Sequence, residues 1–113
     1  MKAITFRTLL EFLAGSERAQ KVEEELRKLE RSKQKVYVSN YTILELVYYL
    51  QEVLGLPKEK VVDIVRTILE DRLFKVEEKN SLERALKLYL EGYDFLEALK
   101  KVQYEENKIG SLL

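Results

Sequence analysis

The segment Val36–Leu50, VYVSNYTILELVYYL, constrains the fold more than any other. A short β-rich run, Val36–Val38, stops at the polar pair Ser39-Asn40, and an amphipathic helix follows at once. A strand that feeds straight into a helix is the opening half of a parallel crossover unit. Inside the apolar run of that helix, Ile43-Leu44-Glu45-Leu46-Val47, sits one acid. On residue pattern alone, Glu45 has two readings. It shares helical spacing with Tyr41, Tyr48 and Glu52 and can belong to a solvated face. It can also be a metal ligand.

The rest of the chain repeats the alternation. Lys2–Phe6 reads as a strand and Thr8–Ala14 as a short helix broken at Gly15. Ser16 and Glu17 suit the start of a helix to Arg31, with Ala19, Val22, Leu26 and Leu29 along one stripe. Ser39 or Asn40 caps a helix over Tyr41–Leu54, ended by Gly55, and Pro57 opens another to about Glu70. Leu73–Glu77 is a third strand. Asn80 and Glu83 have capping-box spacing for a helix over Ser81–Glu91, and Gly92 ends it. Asp94 caps Phe95–Glu106, with Phe95, Leu96, Leu99 and Val102 inward. Ile109–Leu113 reads as the start of a fourth strand. The expectation is an α/β fold with a mostly parallel sheet, as one domain over residues 1–113.

Composition removes whole classes of chemistry. The chain has no Cys and no His. Disulfides, thiolate or imidazole metal sites, Ser-His triads and histidine acid–base catalysis are all excluded. A metal here has oxygen ligands, which points to Mg²⁺ or Mn²⁺. The 20 basic residues balance 20 acidic ones, so no bulk charge draws the chain to nucleic acid or membrane. There is no DNA-specific signal. No segment is long and apolar enough to span a bilayer, and MKAITFRTLL lacks the apolar core of a signal peptide. A cytoplasmic protein is expected. High Lys and Glu with few Asn and Gln suits a heat-adapted source. No Gly-rich phosphate loop and no nucleophile–base pair is present. The basic run Arg31, Lys33, Lys35 reads as a solvated loop, without the interleaved aromatics of a base-stacking platform.

Three segments together resemble the PIN-domain family. Val36–Leu50 is similar to its second strand and third helix, with a Ser or Thr break and a hydrophobic-Glu-Leu run. GYDFLEAL, Gly92–Leu99, resembles the later pattern of Phe, one residue, an acid and Ala-Leu. Met1–Gly15 resembles the opening strand, Asp-Thr-Asn and Leu-Leu. The resemblance covers essentially the whole chain and points to the small ribonuclease toxins of prokaryotic toxin–antitoxin pairs. It implies a three-layer α/β/α fold with a sheet of about four strands. It also implies clustered carboxylates holding Mg²⁺ or Mn²⁺, which lowers the pKa of a bound water and neutralises charge on the phosphodiester.

Carried over residue by residue, the resemblance assigns Glu45 and Glu97 as the remaining catalytic acids, and Glu45, Glu97 and Asp94 as metal ligands. Glu97 stands where the family has Asp, and Asp94 is read first as an N-cap. Phe6 takes the place of the first acid, with Arg7 and Thr8 after it. The last acid of the family pattern falls beyond Leu113, which implies a C-terminally truncated sheet. The resemblance therefore implies a degenerate member, weak or inactive as a ribonuclease. Its expected partners are an antitoxin-like protein and a second copy of itself, with RNA as a further candidate. Two alternatives stand beside it: an active metal-dependent endoribonuclease for single-stranded RNA, in which a water, a partner chain or Glu11 replaces the missing acid, and an α/β interaction module without PIN ancestry.

Overall fold

A computed structural model describes residues 1–113. Three short strands form one parallel sheet in the order β1-β2-β3: β1 is Lys2–Ala3, β2 Val36–Val38 and β3 Phe74–Val76. Val36 lies opposite Lys2 on one side and Phe74 on the other, so β2 is central. Helices α1 (Phe6–Ala14) and α2 (Ala19–Arg31) link β1 to β2. Helix α3 (Asn40–Tyr48), a π-helical turn (Tyr49–Val53) and α4 (Lys58–Glu70) link β2 to β3. Helices α5 (Lys79–Leu90) and α6 (Phe95–Glu106) follow.

The sequence explains most of these boundaries. Thr5 and Ser39, both extended, cap α1 and α3 by accepting from the N–H groups of Thr8 and Thr42. Asp94 caps α6 through the N–H of Glu97. Gly15 ends α1 at φ 65°, a left-handed conformation that costs glycine little. Val36 and Val38 are buried on one face of β2, with Tyr37 half-buried on the other, and Phe74 and Val76 are buried on β3. The core is one continuous cluster in which Tyr89, Phe95, Leu82 and Leu86 from α5 and α6 join Ile43, Leu46 and Val47 from α3.

Several expectations change. The sheet has three strands rather than about four, and Ile109–Leu113 pairs with none. After α6, Lys108 turns at φ 57°, and the N–H of Ile109 bonds back to the carbonyl of Tyr104 at 2.8 Å. That closure folds the chain back over the helix end. Ser16 does not cap α2. Its hydroxyl donates to the carbonyl of Glu11, closing the α1 end, and α2 starts three residues later with no side-chain cap. The Asn80–Glu83 capping box does not form, because α5 begins at Lys79, behind Glu78 at φ 54°. Glu83 instead pairs with Arg66 of α4 at 2.8 Å. On α6, Ala98 rather than Leu96 completes the buried set. The helix expected over Tyr41–Leu54 changes to a π-turn at Tyr49, where the N–H of Leu54 reaches the carbonyl five residues back. The extra residue lets Tyr49 pack edge-on against Phe6 and lets Gln51 accept from the Tyr89 hydroxyl at 2.6 Å.

Candidate functional site: the carboxyl ends of the strands

A cavity of about 470 Å³ opens where β1 and β2 end. Such ends are the usual binding position in an open parallel sheet. Thr5, Phe6 and Arg7 line it from the β1–α1 junction, and Ser39, Thr42 and Glu45 from the start of α3. Phe6 and Glu45, joined only by the family alignment at the level of sequence, are thus neighbours in space. Glu45 is exposed and makes no salt bridge. It belongs to a solvated helix face, and that face forms a cavity wall.

Glu45 is the one carboxylate on that wall. Its neighbours are occupied elsewhere. The Phe6 ring, half-buried, meets Tyr49 with centroids 5.8 Å apart. Ser39 and Thr42 share a hydroxyl hydrogen bond of 3.1 Å, and Ser39 also accepts from the backbone of Thr42. Thr5 is held in the same way by Thr8. Arg7 adds a positive charge, directed in part to Glu11 at 3.4 Å.

The other acids singled out in the sequence do not line that cavity. Asp94 accepts the Tyr48 hydroxyl on both oxygens, at 2.8 and 2.9 Å, while one of them also caps α6 at 3.2 Å. Burial of the phenol and its bond to Asp94 push the Tyr48 pKa above its ordinary value. Glu97 is exposed and lines a separate depression on α6. It pairs with Lys100 at 3.6 Å, while Lys101 faces Glu105. Glu11 is held by Arg7 and Arg18 and lies outside the cavity wall.

Sequence reasoning passed over a second acidic group, at the end of β3. Glu77 accepts from the N–H of Asn40 at 3.0 Å. Glu78 accepts from the side chains of Asn40 and Gln103, at 3.0 and 2.8 Å. These bonds tie the starts of α3 and α5 to α6 and hold Glu78 in its left-handed conformation. The available signal was an acid pair directly after a strand. No local pattern names its partners.

A relative fixes the ancestry of this arrangement. A VapC ribonuclease from Aquifex aeolicus (strain VF5) is 36% identical over 115 aligned positions, covering all of this chain and 85% of the relative. The chain belongs to the VapC ribonuclease family. VapC proteins are PIN-domain toxins, so the PIN resemblance stands, and a module of unrelated ancestry is set aside. No family profile and no solved structure matches the chain. The parallel α/β architecture is compatible with a PIN-like fold.

The donor set of this VapC-family cavity does not fit Mg²⁺ or Mn²⁺. Either ion favours oxygen ligands that include ionised carboxylates. The wall offers one carboxylate, hydroxyls already used as caps, an aromatic ring and a guanidinium. Nowhere do three acids converge as metal ligands, so Glu45, Glu97 and Asp94 form no cluster. No helix is long and apolar enough to cross a membrane.

Proposed function

We propose that this is a degenerate VapC-family protein: a PIN-like three-layer domain over residues 1–113 that is weak or inactive as a ribonuclease and acts by binding protein partners. Family membership brings divalent-metal-dependent RNA cleavage as the starting point. The observation that carries the departure from it is the cavity wall, where Phe6 and Arg7 stand beside a solitary Glu45. A cation there would meet one full negative charge and one positive charge, a poor balance for neutralising a phosphodiester. Glu97 and Asp94, the other proposed ligands, are drawn to Lys100 and Tyr48. The partners in this reading are an antitoxin-like protein and a second copy of the chain, in the cytoplasm. A heat-adapted source accords with the composition.

The second reading, a working Mg²⁺- or Mn²⁺-dependent ribonuclease acting on single-stranded RNA, rests on Glu45 being unpaired and open to the cavity. One assay separates the two. The protein and a Glu45→Gln variant are incubated with single-stranded RNA and Mn²⁺ or Mg²⁺. The expected result is no cleavage above background by either. Cleavage by the parent that is lost in the variant would establish the second reading.

A further inference from the structure

The sheet is open on one side. β1 is an edge strand, and β2 occupies its other side. The N–H of Ile4 bonds to the carbonyl of Tyr37, on the β2 side. Backbone groups alternate along a strand, so the N–H and C=O of Ala3 face the free edge. Beside that edge lies a groove of about 230 Å³ between β1 and α2, floored by Ile4, Val22, Leu26, Leu29 and Val36. A cavity of about 150 Å³ already accepts a benzene ring, so this one has room for a large aliphatic side chain.

The same chain carries a segment suited to that groove. Ile109–Leu113 has the composition of a strand start, yet pairs with nothing. Ile109 is 57% exposed, and Leu112 and Leu113 are exposed almost completely, at 96% and 110%. None of these residues lines the groove beside the β1 of its own chain. Ile109 is fixed to the carbonyl of Tyr104 and lines the outer face of α6 with Lys100 and Lys101. Helix α6 packs on α5 and α3, whereas the groove walls are β1 and α2.

We infer that Ile109–Leu113 of one copy pairs with the free β1 edge of a second copy and places a leucine in the groove between β1 and α2. The exchange rests on the homodimer proposed above and gives that dimer its contact. Two features favour it physically. Pairing satisfies edge backbone groups that the short β1 leaves open, and it removes exposed aliphatic surface from water. The groove rim carries Lys2, Arg18 and Lys21 against a single acid, Glu25, while the incoming segment holds no charge from Ile109 to Ser111. Its entry therefore buries no unpaired side-chain charge.

The absence of native cysteine makes the test direct. Ala3→Cys and Leu112→Cys proteins are prepared separately, mixed and oxidised gently. A Glu70→Cys protein, substituted at an exposed position at the end of α4, replaces the first in a control mixture. The expected result is a mixed disulfide dimer of Ala3→Cys with Leu112→Cys, in clear excess over the control, identified by mass spectrometry. In the Ala3→Cys/Leu112→Cys double variant the bond is expected between chains. A disulfide within single chains, or no excess over control, overturns the inference. Molar mass against concentration provides the second readout: Leu112→Asp should weaken dimerisation by about tenfold or more, as loss of one buried leucine implies. A dimer that forms without the cross-link and ignores Leu112→Asp overturns the exchange and leaves the homodimer standing. A monomer at every concentration removes both.

Discussion

Asp94 supplies the sharpest test of the structural account, because its two roles predict opposite things. As a metal ligand it would be dispensable for folding and needed for cation binding. The geometry makes it a joint instead. Its carboxylate caps α6 through Glu97 and accepts the Tyr48 hydroxyl on both oxygens. Removing a carboxylate N-cap costs about 1 kcal/mol. A hydrogen bond to a charged acceptor contributes about 1.5–3 kcal/mol when shielded. Asp94 is exposed, so about 1 kcal/mol is the fitting allowance after solvent screening. Tyr48 is only half-buried and can turn its hydroxyl to water, so no full desolvation penalty is added. Asp94→Ala should therefore lose about 2 kcal/mol in urea unfolding followed by circular dichroism, which lowers Tm by about 8 °C for a chain of this size. Tyr48→Phe should lose about half as much. The double variant should fall short of the sum by about 1 kcal/mol, the energy of the shared bond. A loss below about 0.5 kcal/mol in Asp94→Ala refutes the joint. So does stabilisation by Mn²⁺ in the parent that Asp94→Ala abolishes.

The remaining predictions concern the same elements. Burial and then the bond to Asp94 raise the folded pKa of Tyr48 above the unfolded value near 10, so the native state holds the phenolic proton longer. That contribution is complete below about pH 10 and disappears as pH rises through the folded pKa. Alkaline unfolding curves of Tyr48→Phe should therefore be flatter than the parent's above about pH 10. Phe6→Asp puts a second carboxylate beside Glu45. It should cost about 1–2 kcal/mol by removing the half-buried ring from Tyr49, yet raise Mn²⁺ affinity at least about tenfold in calorimetric titration. Equal affinities would show that the residue at position 6 does not limit Mn²⁺ binding. Lys33 closes α2 at φ 58°, so Lys33→Gly should raise thermal-unfolding stability by about 0.5–1 kcal/mol. A decrease would mean that the Lys33 side chain contributes more than its backbone costs.

The parts of the fold that were legible beforehand are local ones. Ser39, Asp94, Gly15 and Gly92 mark helix ends because a cap or a left-handed turn involves residues a few positions apart. Strands β2 and β3 were legible from β-branched and aromatic runs next to polar breaks. The expectations that failed depended on distant partners. Glu83 has capping-box spacing but finds Arg66 on another helix, and Ser16 turns back to α1. The π-turn at Tyr49 accompanies contacts of Tyr49 and Gln51 with Phe6 and Tyr89, neither of which is near it in sequence. Ile109–Leu113 has the composition of a strand, but composition alone does not place it beside the free β1 edge.

The candidate site divides along the same line. The sequence alone determined its chemistry: without Cys or His, only oxygen ligands are possible for a metal. Residue types are a property of the chain and do not change on folding. Whether the surviving acids meet was decided by tertiary structure. Glu45 reaches the cavity because α3 starts at the end of β2, whereas Asp94 is drawn to Tyr48 and Glu97 to Lys100. Carboxylates go to the nearest donors that the packing of the helices supplies, and the positions of those donors are set by the core.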